Sequence, residues 1–399
     1  MLQKSILIVT STFPVYSETF IVDHVKGMLS RGWVVFVAAN KINSMLLDLF
    51  FPDNPAGLTL CTFSPFELRK LKVMFGALLK ASKQVSGHSY SYSFAARLMA
   101  AKGHLLSELI DDLKPDLVHA HFGPNGVLAA MALKDKRVPL IVNFHGYDVT
   151  SYVKKNGWKL YENFFSKAVL IAHSQFVANK VAIGLGRQCE HVVMGVDAKK
   201  FLPGKKNNKE WPKPLRFLSV GRLAQCKGHD VAIDAVKLLN NRHPEWNVEL
   251  SIVGGGEEEA QLIKKIEIDH LSDFVKCLGV LDSSQISFLM QDSDVLLVCS
   301  QATINGWEEA FCRVAVEGMA CGMAVVVTPC GGLPDTVDGG GYVAKGCDIE
   351  SMAEAVELLI SVGNPSSVAE RAVKKSAQYD LVKMIDDYSA VSTKVVLPS

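Results

Sequence analysis

Residues 295–335 read VLLVCS, QATINGWEEA, FCRVAVEGMA, CGMAVVVT, PCGGLPD. Two short apolar runs, 295–300 and 323–328, flank a loop and a helix-length segment. The runs are continuously apolar rather than alternating, which marks strands of a parallel sheet covered on both faces. The same alternation runs upstream through RFLSVG (216–221), VELSIVG (248–254) and FVKCLG (274–279). It also fills the first half: SILIV (5–9), VVFVAA (34–39), DLVHA (116–120), PLIVNF (139–144) and AVLIA (168–172). Helical periods separate these runs. One starts near Ser17, with Ile21, Val25, Met28 and Leu29 on one face, and two more are expected around 66–85 and 94–113.

A polar, proline-bearing stretch, PGKKNNKEWPKP (203–214), is the best linker in the chain. The expected fold class is therefore α/β, with two consecutive doubly wound, Rossmann-like domains over 1–200 and 201–377. After them, residues 379–394 carry Leu381, Met384, Ile385 and Tyr388 at helical spacing, so an amphipathic helix closes the chain on an existing surface.

Composition narrows the function. The 399 residues are 49% hydrophobic and 21% charged, as in ordinary globular proteins. A net charge of +1 excludes whole-protein attraction to nucleic acid. None of the nine cysteines forms a Cys-x-x-Cys pair, the usage of a reducing compartment without a zinc site. The N-terminal apolar run is too short for a signal peptide, and no run reaches the length of a membrane span, so a cytoplasmic location is expected.

In open parallel sheets ligands bind beyond the carboxyl ends of the strands. After 216–221 comes GRLAQCKGHD, which places Gly221, Arg222 and Lys227 on one strand-to-helix loop; two cations beside a helix N-terminus suit a diphosphate, and a solvated basic loop fits equally well. Glu309 and Glu317 stand eight residues apart, roughly 80° in azimuth and about 12 Å along the axis of one regular helix. They meet one ligand only if Glu309 lies in the loop before the helix; otherwise they are two surface carboxylates. Gly254, Gly331 and Gly332 permit close backbone approach and donor amides, or simply tight turns. In the first half HAHFGPNG (119–126), FHGYD (144–148) and AHS (172–174) put histidine at three successive strand ends, with His145 and Asp148 the best placed.

Together these segments resemble glycosyltransferase family four, of the GT-B fold. The C-terminal half carries its Gly-Arg-x4-Lys-Gly as Gly221-Arg222 and Lys227-Gly228, and its Glu-x7-Glu as Glu309 and Glu317. HFGPNG, FHGYD and FPVYSETFI are similar to the subgroup building bacterial exopolysaccharide, colanic-acid-like or lipopolysaccharide chains. The resemblance implies two domains with a cleft between them and residues 378–399 packing back on the N-terminal one. It also implies a retaining, metal-independent hexosyltransferase with no cofactor, using a UDP- or GDP-linked sugar and a lipid-linked saccharide acceptor, with peripheral inner-membrane association.

By the same resemblance Arg222 and Lys227 neutralise the leaving diphosphate, Glu317 takes the ribose, Glu309 takes the transferred sugar and His145 lies near the anomeric centre. The donor would also touch Gly221, Gly254, Ala310, Phe311, Cys312, Arg313, Val314, Gly331 and Gly332. The acceptor side would hold Ser17, Glu18, Thr19, Phe20, His121, Gly123, Asn125 and Asp148. Ala310 and Cys312 replace family glycines, and Gly318 replaces an alanine inside the helix at a cost of up to about 1 kcal/mol.

Four rivals share these residues. Asp292-Ser293-Asp294 has the Asp-x-Asp form by which other transferases hold a metal on the donor, although a helix-to-strand turn favours aspartate anyway. His119 and His121 fall on one strand face and, with His145 and His173, fit a metal hydrolase. A sugar phosphorylase or epimerase on the same fold, and a two-lobed sugar-nucleotide binding protein without turnover, complete the set.

Overall fold

The computed structural model describes residues 3–64, 94–204 and 210–397. Among them, the residues up to His173, Ala178–Val192 and those from Ile385 onward form one compact unit, and Ser174–Val177 with Val193–Met384 form a second. The expected helix at 66–85 and part of the expected linker lie outside the described residues.

The first unit is built on a parallel sheet of β1 (Ser5–Phe13), β2 (Val34–Ile42), β3 (Leu58–Thr62), β4 (Leu117–His121), β5 (Leu140–Phe144), β6 (Val169–Ala172) and β7 (Glu190–His191). Their order is β3-β2-β1-β4-β5-β6-β7. Leu7 of β1 pairs with Phe36 on one side and Val118 on the other. Ile6 to Val9 are fully buried, as the continuous apolar reading requires. β3 and β7 escaped the sequence reading for a physical reason. Among the described residues β3 pairs only with β2, and β7 is two exposed polar residues, so neither needs an apolar run.

The second unit repeats the plan with β8 (Arg216–Val220), β9 (Glu249–Val253), β10 (Val275–Cys277), β11 (Val295–Val298), β12 (Ala324–Val327) and β13 (Tyr342–Val343), in the order β10-β9-β8-β11-β12-β13, all parallel. Alternation along β11 feeds two cores. Val295 and Leu297 join one cluster with Val231, Ala235 and Leu239 of the helix His229–Arg242. Leu296 and Val298 join another with Ala315, Val316 and Met319 of the helix Arg313–Ala320. A Cβ at Gly318 would come 2.7 Å from Leu296 Cδ2, so the glycine has a packing reason beside its cost in helix propensity.

The unit boundaries fall at 192/193 and 384/385 rather than at 200/201 and 377/378. Val196 and Phe201 are core residues of the second unit, and Val196 forms a parallel bridge with Asp380. This pairing draws 193–204 and the segment before the last helix into that unit.

From Ile385 on, the helix Leu381–Val396 belongs to the first unit. Ile385 and Tyr388 are buried there, and Arg31 pairs with Asp386 at 2.5 Å. A Cβ at Gly27 would lie 2.3 Å from Ile385 Cγ2. Gly27→Val should therefore overpack this contact and cost about 1–3 kcal/mol. Chemical denaturation at fixed pH measures it, and an unchanged midpoint would mean the last helix does not seat there.

Candidate active site

Strand order reverses between β8 and β11, so the loops leaving their carboxyl ends flank the crevice where doubly wound sheets take ligands. The loop after β8 carries Arg222, which is exposed, and Lys227, which is half-buried. It is tied down by His229, whose Nδ1 and Nε2 lie 3.0 Å from Ser219 Oγ and 3.2 Å from the Arg222 carbonyl. Burial drives the His229 pKa down to about 4, so it acts as a neutral strut. Gly228 closes the loop at φ 65°, where a Cβ would meet the Cys299 carbonyl at 2.1 Å. Only glycine fits that approach.

The loop after β11 carries Glu309, and the helix Arg313–Ala320 carries Glu317, the division that the azimuth argument demanded. Glu309 is buried and accepts from Lys227 Nζ at 2.5 Å and from Ser300 Oγ at 3.0 Å. Trp307 places its ring 5.1 Å from Lys227 Nζ. Burial lowers the Lys227 pKa, but attraction to and hydrogen bonding with Glu309 outweigh it, and the net shift is upward. Lys227 is thus firmly cationic. Glu317 lies 3.9 Å from Arg313 Nε. Trp307, Ser300 and His229 were not singled out by the sequence reading. Trp307 stands inside the quoted loop, but nothing in one sequence tells a stacking ring from a core ring.

Other expected donor contacts are narrowed by the geometry. The Gly332 amide donates to the Glu309 carbonyl at 2.7 Å, and the Gly254 amide to the Gly279 carbonyl at 2.9 Å. Neither amide is left to a ligand as those two positions were expected to offer. A Cβ at Gly331 would lie 2.2 Å from the Glu309 carbonyl, and one at Gly254 1.8 Å from the Gly221 carbonyl. These glycines let loops of the unit approach each other. Ala310 and Cys312 are buried, and Phe311 meets Tyr379 edge-on at 5.5 Å. Burial raises the Cys312 thiol to about 12, so it stays protonated. Val314 packs partly against the core beside Arg313.

The Asp-x-Asp reading is corrected. Asp292 pairs with Arg216 at 2.7 Å and Asp294 accepts the Arg216 amide at 3.0 Å. Both carboxylates sit where β8 and β11 begin, at the opposite strand ends from Lys227 and Glu309.

In the first unit the reversal lies between β1 and β4. Ser17 is exposed and Glu18, Thr19 and Phe20 are half-buried, on the turn and helix that follow β1. His121 at the end of β4, and Gly123, Asn125 and Asp148 after β4 and β5, are engaged by other groups of the same unit. Asp148 is fully buried and accepts amides of Gly123 at 2.9 Å, His145 at 3.0 Å and Gly146 at 2.8 Å. Asn125 donates to the His121 carbonyl at 2.8 Å and accepts from Ser11 at 3.1 Å. A Cβ at Gly123 would lie 2.4 Å from Tyr161. His121 is fully buried, 3.0 Å from His24 and 2.9 Å from His145. His145 is half-buried and stacked under Phe20 at 4.4 Å.

His24, His119 and His173 thus pack against Tyr388, and His121 and His145 join the cluster through those histidines. The first three could bring ligand atoms within 4.8 Å of one another, so the metal-ligand geometry read for His119 and His121 is approached with His24, not with His145 and His173. Burial, reinforced by neighbouring imidazoles, pushes His24 down to about 3 and holds His119, His121 and His145 well below the ordinary value. A folded-state pKa below the unfolded one gives stability that is present above about pH 6.5 and lost as pH falls. With four such groups the loss should reach about 5 kcal/mol per pH unit at its steepest. Denaturant midpoints measured from about pH 7 to 4 should show this fall, and His119→Phe should make it shallower by one proton.

A family model of glycosyl transferases group 1 matches residues 204–377, and one of glycosyltransferase family 4 matches residues 17–200. The amylovoran biosynthesis glycosyltransferase AmsK of Erwinia amylovora is 27% identical over 90% of this chain and 91% of its own length. WcaL of Escherichia coli strain K12, provisionally assigned as a colanic acid biosynthesis glycosyltransferase, is 27% identical over 91% of this chain and 93% of its own. Among solved structures, a Rickettsia africae glycosyltransferase superposes with a TM-score of 0.73 at 18% identity over 100% of both chains. HepE of Anabaena, solved with UDP and glucose, gives 0.72 at 20% identity over 97% of this chain and 99% of its own. The fold is that of the GT-B glycosyltransferases, and the chain belongs to glycosyltransferase family four.

Proposed function

We propose that this glycosyltransferase is retaining and metal-independent, and moves a hexose from a UDP- or GDP-linked sugar to a lipid-linked saccharide in cell-surface polysaccharide synthesis. The observation that carries the donor assignment is the Lys227–Glu309 pair at the strand-order reversal, with exposed Arg222 on the same loop as Lys227. Departure of the nucleotide builds negative charge on its diphosphate, which fixed cations stabilise as it forms. Arg222 and Lys227 supply those cations. A carboxylate accepts hydroxyl donors two at a time, so Glu317 suits the ribose and Glu309 the hexose. The acceptor belongs to the first unit, at Ser17–Phe20, and His145 acts at the reacting sugar.

The names of AmsK and WcaL favour a polysaccharide product. Among the described residues no helix is long and apolar enough to cross a membrane. A lipid-linked acceptor would then be met peripherally, at the cytoplasmic face.

Glu317→Ala and Arg222→Ala should each abolish transfer while the protein melts as before; near-normal turnover in either removes the donor site. Lys227→Ala should lose transfer and also stability, about 3 kcal/mol, because buried Glu309 is left without its cation. UDP- and GDP-sugars should be compared for the rise in melting temperature they produce. Stabilisation by neither would overturn the donor class.

A further inference from the structure

His121 uses both ring nitrogens on other histidines. Its Nε2 lies 3.0 Å from His24 Nδ1, and its Nδ1 lies 2.9 Å from His145 Nε2. At the two ends of this row, His24 Nε2 and His145 Nδ1 are buried with no hydrogen-bond partner. Among the described residues, no carboxylate or carbonyl bonded to any of the three rings fixes a direction. His173 is the contrast: its Nδ1 faces the Val192 carbonyl at 2.8 Å, so that nitrogen must carry the proton, and Nε2 accepts from Asn143 and Tyr388 at 3.0 Å each.

A neutral imidazole carries one N–H and one lone pair. If His24 Nδ1–H donates to His121, then His121 must hold its proton on Nδ1 and donate to His145, which in turn holds its own on Nδ1. If His145 Nε2–H donates instead, all three protons sit on Nε2. Mixed arrangements put two lone pairs or two N–H groups face to face. The three rings therefore share one tautomer, and in either state one buried N–H is left over, at His145 Nδ1 or at His24 Nε2. Such a group costs about 1–3 kcal/mol without a partner, so whatever contacts one end decides the state of the other. Their burial keeps all three rings neutral near pH 7.

We infer that His24, His121 and His145 form a two-state tautomeric relay in which His24 and His121 are positioning residues that decide whether His145 Nδ1 presents a proton or a lone pair. A sugar hydroxyl both donates and accepts, so it suits either state once the buried Nδ1 is uncovered. The value of the relay to transfer rests on the assignment of His145 to the reacting sugar; the relay itself does not. His119 packs against His24 at 4.6 Å and against His121 at 5.1 Å without a hydrogen bond to either, so it stands outside the row.

Histidine-selective nitrogen-15 labelling of the full chain reads the tautomers directly. His24, His121 and His145 should all be Nδ1–H or all Nε2–H near pH 7, with His173 Nδ1–H in either case. His24→Phe keeps a ring beside Tyr388 and shortens the row to two rings, whose open ends are His121 Nε2 and His145 Nδ1. His121 and His145, still linked to each other, should go on sharing one tautomer, both Nδ1–H or both Nε2–H. In this variant kcat should fall roughly tenfold, a fraction of what a general acid–base group supplies, with the donor KM unchanged. Mixed tautomers in the wild type, or unlike tautomers on His121 and His145 in His24→Phe, would overturn the relay. Stoichiometric zinc in the purified protein would overturn it too, since a metal on His24, His119 and His121 would break the first link. Should the variant misfold, the wild-type tautomers alone decide. An active Glu317→Ala would remove the donor reading and leave the tautomer pattern untouched, so the two failures are distinct.

Discussion

A parallel strand buried on both faces has no place for polar chemistry along its length, so ligands must be met at its ends. In the second unit β11 and β12 obey this. β11 and β12 are wholly buried and apolar, and the polar groups that follow, Ser300, Glu309 and Thr328, begin where those strands stop. The first unit breaks the rule inside the sheet itself. His119 and His121 lie within β4, Asn143 within β5 and Thr10 within β1, all fully buried. His121 and Asn143 bond other side chains of the same cluster, whereas among the described residues Thr10 Oγ1 and both His119 nitrogens have no hydrogen-bond partner.

The same constraint explains what could be read from the residues alone. Continuous Val, Leu and Ile runs announce central parallel strands, and nearly every such run became one. The division of Glu309 from Glu317 was legible because helix geometry forbids both from meeting one ligand on a straight helix. The direction of a side chain at a strand end was not legible. Asp148 and Asn125 follow strands as ligand residues would, yet they turn inward to hold backbone amides and carbonyls. Nor did sequence bring His24 and Tyr388 beside His119; their positions, 24 and 388, come together only through packing of the last helix.

Three glycines serve the framework of the second unit. Gly228, Gly254 and Gly331 each hold positive φ with a carbonyl of another loop where a Cβ would be. The loops after β8, β9, β11 and β12 are thereby stitched together by backbone approach. Side chains on them are free to differ without moving the scaffold. Replacement of family glycines by Ala310 and Cys312 fits this picture: both are buried, and the close approach is retained from the other side by Gly331 and Gly332.

Lys227 and Glu309 sit at the meeting point of those loops, and their pairing has a consequence for the proposed donor. A half-buried lysine cannot neutralise a diphosphate and fully satisfy a carboxylate at once. As Lys227 turns towards phosphate oxygens, Glu309 keeps Ser300 but loses its strongest donor, and a buried carboxylate so exposed gains most from new hydroxyl donors. Hexose hydroxyls are such donors. In the proposed reading the two ends of the nucleotide sugar are therefore coupled through one ion pair. A nucleoside diphosphate alone would draw the lysine away and leave the carboxylate underserved, whereas the complete donor satisfies both.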